Sequence, residues 1–129
     1  KVLEVIVMNV EKMLEIGLLF EQYKELLTDK QREMVSLYYE EDYSLGEISE
    51  NLGVSRQGVY DTLKRSEKIL REYENKLHLV AKLKEQEKFL KSIREKIIDI
   101  KEDLLHNRDC ADLIPKLENI EEICRELLK

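Results

Sequence analysis

The sequence predicts an all-α fold, and three observations carry that expectation. Apolar residues recur at steps of three and four rather than two. Glycine and proline are scarce, with 4 and 1 in 129 residues. Residues that cap helices, such as Thr28, Ser44 and Ser55, stand at the head of apolar runs. Charged residues make up 39% of the chain and hydrophobic ones 43%, which suits amphipathic helices and not a disordered polymer.

The first helix is expected over Asn9–Leu26. Met13, Ile16, Phe20, Tyr23 and Leu27 share one face, Leu14 and Leu19 reinforce it, and Asn9 is the candidate cap. Thr28-Asp29-Lys30-Gln31 has the form of a capping box and opens a second helix carrying Met34, Val35, Tyr38 and Tyr39. That helix should stop at Glu40-Glu41-Asp42, because carboxylates oppose the dipole at a helix C-terminus. Ser44 to Glu47 form another capping box, and a short helix follows to about Asn51. Gly53 supplies a turn, and Ser55 caps a helix from Arg56 to about Tyr73.

From Lys76 the pattern changes. Leu79, Leu83, Leu90, Ile93, Ile97, Ile100 and Leu104 fit alternating heptad positions, with Gln86 as the polar exception. This describes one helix of roughly 28 residues, about 40 Å long, serving either as a dimer seam or as a brace against the core. His106-Asn107-Arg108-Asp109 should break it. A last helix is expected around Pro115–Leu128, with Pro115 in its first turn. The expected organisation is therefore a helical domain over 1–75, containing a helix-turn-helix at 44–73, and a packing or dimerisation extension over 76–129.

The segment Leu45–Leu63 (LGEISENLGVSRQGVYDTL) fills the slots of a helix-turn-helix. Gly53 sits at the turn. Ser49 is small where two helices cross. Ile48, Leu52, Val54, Val59 and Leu63 face a common core. The second helix of such a unit presents its N-terminal residues to a nucleic acid groove. The candidate nucleic-acid-binding residues are Ser55, Arg56, Gln57, Tyr60, Lys64, Arg65 and Lys68, with Asp61 beside them and Arg71 further along. Arg56 has the donors for guanine and Gln57 those for adenine, while Lys64, Arg65 and Lys68 suit phosphates.

Charge works against simple DNA coating. The net charge is −6, and residues 27–75 carry 7 basic and 11 acidic groups. The stretch Arg56–Tyr73 is the exception, with 5 basic and 3 acidic groups. The acidity lies just upstream, at Glu40, Glu41, Asp42, Glu47 and Glu50.

The run Leu26–Leu79 resembles the YlxM family of small bacterial helix-turn-helix proteins, through LTDKQ (Leu27–Gln31), LYYEEDYSL (Leu37–Leu45) and GVSRQGVYD (Gly53–Asp61). It is more distantly similar to region 4 of sigma factors. The resemblance implies an all-helical fold that tends to dimerise. It also implies an accessory or regulatory role in the signal recognition particle pathway. The family's surface falls on Ser55, Arg56, Gln57, Tyr60 and Asp61. Gly46 and Gly58 stand where alanine is expected of the family, and the stretch after Leu79 departs from its pattern.

No catalytic residues, cofactor or metal site are expected. His78 and His106 are isolated, and Cys110 and Cys124 lack ligand spacing. Two unpaired cysteines suit a reduced, cytoplasmic protein. No stretch is long and apolar enough to span a membrane. Lys1–Val7 (KVLEVIV) is too short for a signal segment, and Met8 is a candidate start. Three readings stay open: an accessory of the signal recognition particle acting through RNA or protein contacts, a sequence-specific DNA-binding regulator, and an adaptor that binds proteins through its acidic face. A homodimer is expected.

Overall fold

The computed structural model describes the backbone of residues 2–106 and 110–128, with side chains from residue 9 onward within those ranges. Among the described residues the chain is helical, with α1 (Val2–Tyr23), a 3-10 turn (Lys24–Leu26), α2 (Asp29–Tyr39), α3 (Leu45–Leu52), α4 (Arg56–Leu77), α5 (Leu79–Leu105), a second 3-10 turn (Cys110–Asp112) and α6 (Leu113–Leu127). No helix of these residues is long and apolar enough to cross a membrane.

Helix α1 begins at Val2 and not at Asn9, so Asn9 lies inside the helix rather than at its cap. No glycine or proline precedes Asn9 to stop the helix from propagating. The buried face of α1 is narrower than its apolar content suggests. Ile16, Leu19, Phe20 and Tyr23 are buried, whereas Met13 and Leu14 are 38% and 65% exposed. Leu14 lies two residues from Ile16, about 200° round the helix, and so points the other way. It joins Val10 and Leu18 in an exposed apolar strip.

Thr28 closes the full capping box of α2. Its hydroxyl accepts from Gln31 N–H, and its own N–H donates to the Gln31 side chain at 3.1 Å. Helix α2 ends before the acidic run, as electrostatics requires. The turn is secured by Tyr43 N–H donating to Leu37 O at 2.9 Å, with Asp42 in the left-handed region at φ 62°. The Ser44 hydroxyl caps α3 by accepting from Glu47 N–H at 3.1 Å.

The chain divides into two compact units, 1–80 and 81–129. In the first, α4 is the central element and packs against α1, α2 and α3. Its Val59, Leu63 and Leu70 meet Ile16, Phe20 and Tyr23 of α1, Met34 and Val35 of α2 and Ile48 of α3 in one core. Helix α4 continues to Leu77, beyond the expected Tyr73, because nothing between Tyr73 and Leu77 breaks a helix. His78 ends it in the left-handed conformation at φ 55°. The next helix begins at once, and side chains from behind cap it. Leu79 N–H donates to the Tyr23 hydroxyl at 3.1 Å, and Val80 N–H donates to the Glu74 carboxylate at 3.0 Å. Tyr23 O–H in turn donates to Glu74 at 2.6 Å.

In the second unit Leu113 is buried, and Lys116 of α6 donates to the buried Asp103 of α5 at 2.6 Å. Pro115 falls in the first turn of α6. Only part of the heptad pattern is covered. Ile93 and Ile100 are half-buried, while Leu83, Leu90, Ile97 and Leu104, seven residues apart, are exposed. Helix α5 ends at Leu105. The expected break continues into Asn107-Arg108-Asp109, which lie outside the described residues.

Candidate nucleic-acid interface

The helix-turn-helix is built from α3, its turn and the start of α4. Gly53 ends α3 at φ 66°, a backbone conformation that a Cβ disfavours. Ser49 serves the turn directly. Its hydroxyl donates to Val54 O, and its carbonyl accepts from Val54 N–H at 3.2 Å. Ile48 and Val59 are fully buried, and Leu52 and Val54 pack partly against the same core.

Of the residues expected to meet a nucleic acid, the first three are exposed at the start of α4 and each also has a contact within the protein. The Ser55 hydroxyl caps α4 by accepting from Gly58 N–H at 3.0 Å. Arg56 was expected to lead the outward face, and it is exposed there; its guanidinium also extends over Gly46 of α3, where a Cβ would lie 3.0 Å from Nη2. The physical reason is the missing side chain at 46, which leaves room for a planar cation against the helix. The Gln57 side chain donates to Asp61 at 2.9 Å, one turn ahead.

The remaining residues form an outward patch. Tyr60 is 45% exposed, and Lys64 Nζ lies 5.6 Å from its ring centroid, a cation–π contact. Arg65 and Lys68 are exposed on the same helix. Glu40, Glu41, Asp42, Glu47 and Glu50 are all exposed as well, so the acidity read from the sequence is a real surface feature and not a buried one.

Behind the patch stands a carboxylate that sequence reasoning did not single out. Glu67 is 4% exposed. Its Oε1 accepts from the Tyr39 hydroxyl, and its Oε2 meets Lys12 at 3.2 Å, Lys64 at 3.6 Å and Arg71 at 3.9 Å. Arg71 also reaches Glu15 at 3.3 Å. Burial alone raises the Glu67 pKa, but the hydrogen bonds from Tyr39 and Lys12 and the charges of Lys12 and Lys64 outweigh it and hold the carboxyl below its ordinary value. The Tyr39 hydroxyl shifts upward, through burial first and then through Glu67. Sequence did carry a signal for this cluster. Glu67 falls four residues after Leu63 and three before Leu70, on the apolar stripe of its helix.

Beside this cluster a cleft of about 290 Å³ opens within the first unit, where α1, α2, α3 and α4 converge. The described residues hold no group of His, Cys, Asp and Glu suited to a metal ion.

Comparison with known proteins agrees with this geometry. Residues 10–109 match the family described as "Putative helix-turn-helix protein, YlxM / p13 like". The chain is 49% identical over 87 residues to the UPF0122 protein of Halalkalibacterium halodurans, covering 67% of this chain and 80% of the relative. It is 52% identical over 89 residues to the UPF0122 protein of Streptococcus gordonii, covering 69% and 81%. With the UPF0122 protein of Bacillus pumilus it shares 43% identity over 114 residues, covering 88% of this chain and all of the relative. The stretch after Leu79 was expected to depart from the family pattern; the match nevertheless runs on to residue 109 and takes in α5. The helix-turn-helix built by α3, its turn and α4 agrees with the family's description, and the chain belongs to the YlxM / p13-like UPF0122 family.

Proposed function

We propose that this protein is a non-enzymatic regulatory protein of the cytoplasm that binds RNA through the outward face of α4. In this reading it acts as an accessory of the signal recognition particle pathway. One observation carries the RNA contact. Tyr60, Lys64, Arg65 and Lys68 form an exposed aromatic and cationic patch on a helix whose opposite side is locked in the core. The particle itself, whether met through its RNA or its GTPase, enters through the family resemblance. A homodimer fits the exposed apolar strips Val10–Leu14–Leu18 and Leu83–Leu90–Ile97–Leu104.

Sequence-specific reading of duplex DNA is the second reading. Its two candidate base-reading side chains, Arg56 and Gln57, are exposed at the start of α4, with Arg56 over Gly46 and Gln57 bonded to Asp61. A protein-binding adaptor using Glu40 to Glu50 is the third.

The test is an RNA titration at several salt concentrations. Replacing Lys64, Arg65 and Lys68 by glutamine should each weaken binding and lower the salt slope by about one. The reading is lost if the triple variant binds RNA with the parent's affinity and salt dependence. Capture of particle components from cytosol, with and without RNase, separates an RNA contact from a protein contact.

A further inference from the structure

The cleft beside α4 has a composition that the helix-turn-helix does not require. Lys12, Lys64, Tyr38, Tyr39, Tyr60 and Glu67 line it, the two lysines partly exposed and Glu67 almost fully buried. The two lysines share one carboxylate oxygen, Glu67 Oε2, at 3.2 and 3.6 Å. Arg71 reaches the same oxygen at 3.9 Å. One negative charge therefore meets three positive ones, and Glu15 offsets only Arg71. A cationic surplus remains at Lys12 and Lys64, both more than a third exposed at their side chains.

An anion can bind at the exposed lysines but not at the buried Glu67, whose carboxylate repels it. The interior favours an uncharged planar group, which finds the exposed ring of Tyr60 and the edge-packed pair Tyr38–Tyr39, whose centroids are 4.9 Å apart at 84°. A planar ring inward with an anion outward is the outline of a nucleotide. The volume of about 290 Å³ sits at the small end of ligand sites and suits one base. Arg65 and Lys68 lie outside the cleft on the exposed side of α4, where they offer further cations to the flanking phosphates of a strand.

We infer that this cleft seats one unpaired nucleotide of a single-stranded RNA segment, its base on Tyr60 and its phosphate between Lys12 and Lys64. This rests on the RNA reading above and narrows it, because a stacked duplex cannot deliver a base into the cleft, whereas loops and bulges do so readily. Lys12, on a helix outside the helix-turn-helix, becomes part of the binding surface.

The test measures the anisotropy of a labelled unstructured homopolymer RNA and of a blunt RNA duplex, against the full chain and the variants Tyr60→Ala, Tyr60→Phe, Lys12→Gln and Lys68→Gln. Thermal melts confirm that each variant folds. Tyr60→Ala should weaken single-strand binding roughly 5- to 160-fold, the range for loss of a stacked base, and duplex binding by a much smaller factor. Tyr60→Phe should retain it. Lys12→Gln should weaken the single strand alone, and Lys68→Gln both ligands alike. The chain has no tryptophan, so quenching of tyrosine emission by the homopolymer, lost in Tyr60→Ala, reports stacking directly. The inference is overturned, with the RNA interface intact, if Tyr60→Ala and Lys12→Gln bind the single strand like the parent while Lys68→Gln does not. It is also overturned if adenosine monophosphate alone binds as tightly as the strand, which makes a free nucleotide the ligand. Absence of any RNA binding overturns both readings together.

Discussion

The guanidinium of Arg56 occupies the space that a side chain on residue 46 would need, with Nη2 3.0 Å and Cζ and Nε 3.3 Å from the position of a Cβ there. Gly46 lies in the first turn of α3, and Arg56 is exposed, so its far end can move. Gly46→Ala should therefore raise stability by up to about 1 kcal/mol through helix propensity while displacing Arg56 toward solvent. A thermal melt reads the first effect, and the Arg56 Nε resonance in an NMR spectrum reads the second. A lowered melting temperature would show that Arg56 cannot leave.

Tyr39→Phe removes the hydroxyl that donates to Glu67 Oε1 and leaves a nearly buried carboxylate oxygen without that partner. The cost should be about 1.5–3 kcal/mol, the range for hydrogen bonds to charged groups, read from urea unfolding. An unchanged midpoint would mean that water replaces the phenol.

The same pair sets the pH response. The folded-state pKa of Glu67 is depressed, so its contribution is fully present above its ordinary value of 4.5 and is lost as pH falls through the depressed value. Tyr39 is shifted upward, so its neutral phenol contributes fully below the ordinary value of 10.0 and progressively less as pH rises beyond it. Stability measured against pH should fall on both flanks. Glu67→Gln should flatten the acid flank and Tyr39→Phe the alkaline one.

Tyr23→Phe tests how α5 is anchored. The variant keeps the ring stacked on Tyr73, at 5.9 Å between centroids, but removes the acceptor for Leu79 N–H and the donor to Glu74. Global stability should drop by about 1–3 kcal/mol, and hydrogen exchange at Leu79 and Val80 should accelerate more than at Val59. Equal acceleration at all three would mean that the clamp has no local role.

The fold was legible because its local signals agree. The Thr28 capping box, the Ser44 and Ser55 caps, the Gly53 turn and the periodicity of Val59, Leu63 and Leu70 all point the same way, and each requires only neighbours in sequence. The site was less legible. The exposure of its candidate face was legible, because Tyr60, Lys64, Arg65 and Lys68 follow from helical phase once the cap is placed. The folding of Arg56 onto Gly46 depends on two helices meeting across a turn. The approach of Lys12 to Glu67 depends on α1 packing against α4, 55 positions along the chain. Contacts of that kind leave no periodic trace. Even so, a glycine inside a short helix and a glutamate on an apolar stripe are both visible as departures from local rules.

The left-handed break at His78, followed at once by a helix whose first amides are held by Tyr23 and Glu74, has a practical consequence. The start of α5 is fixed by residues that precede it, and among the described residues the core of the first unit runs from Ile16 to Val80. Lengthening, shortening or replacing the chain beyond the first turn of α5 should leave the helix-turn-helix folded. The C-terminal side is thus the place to attach a label, a tether or a second module, and the side on which natural variation in length costs the fold least.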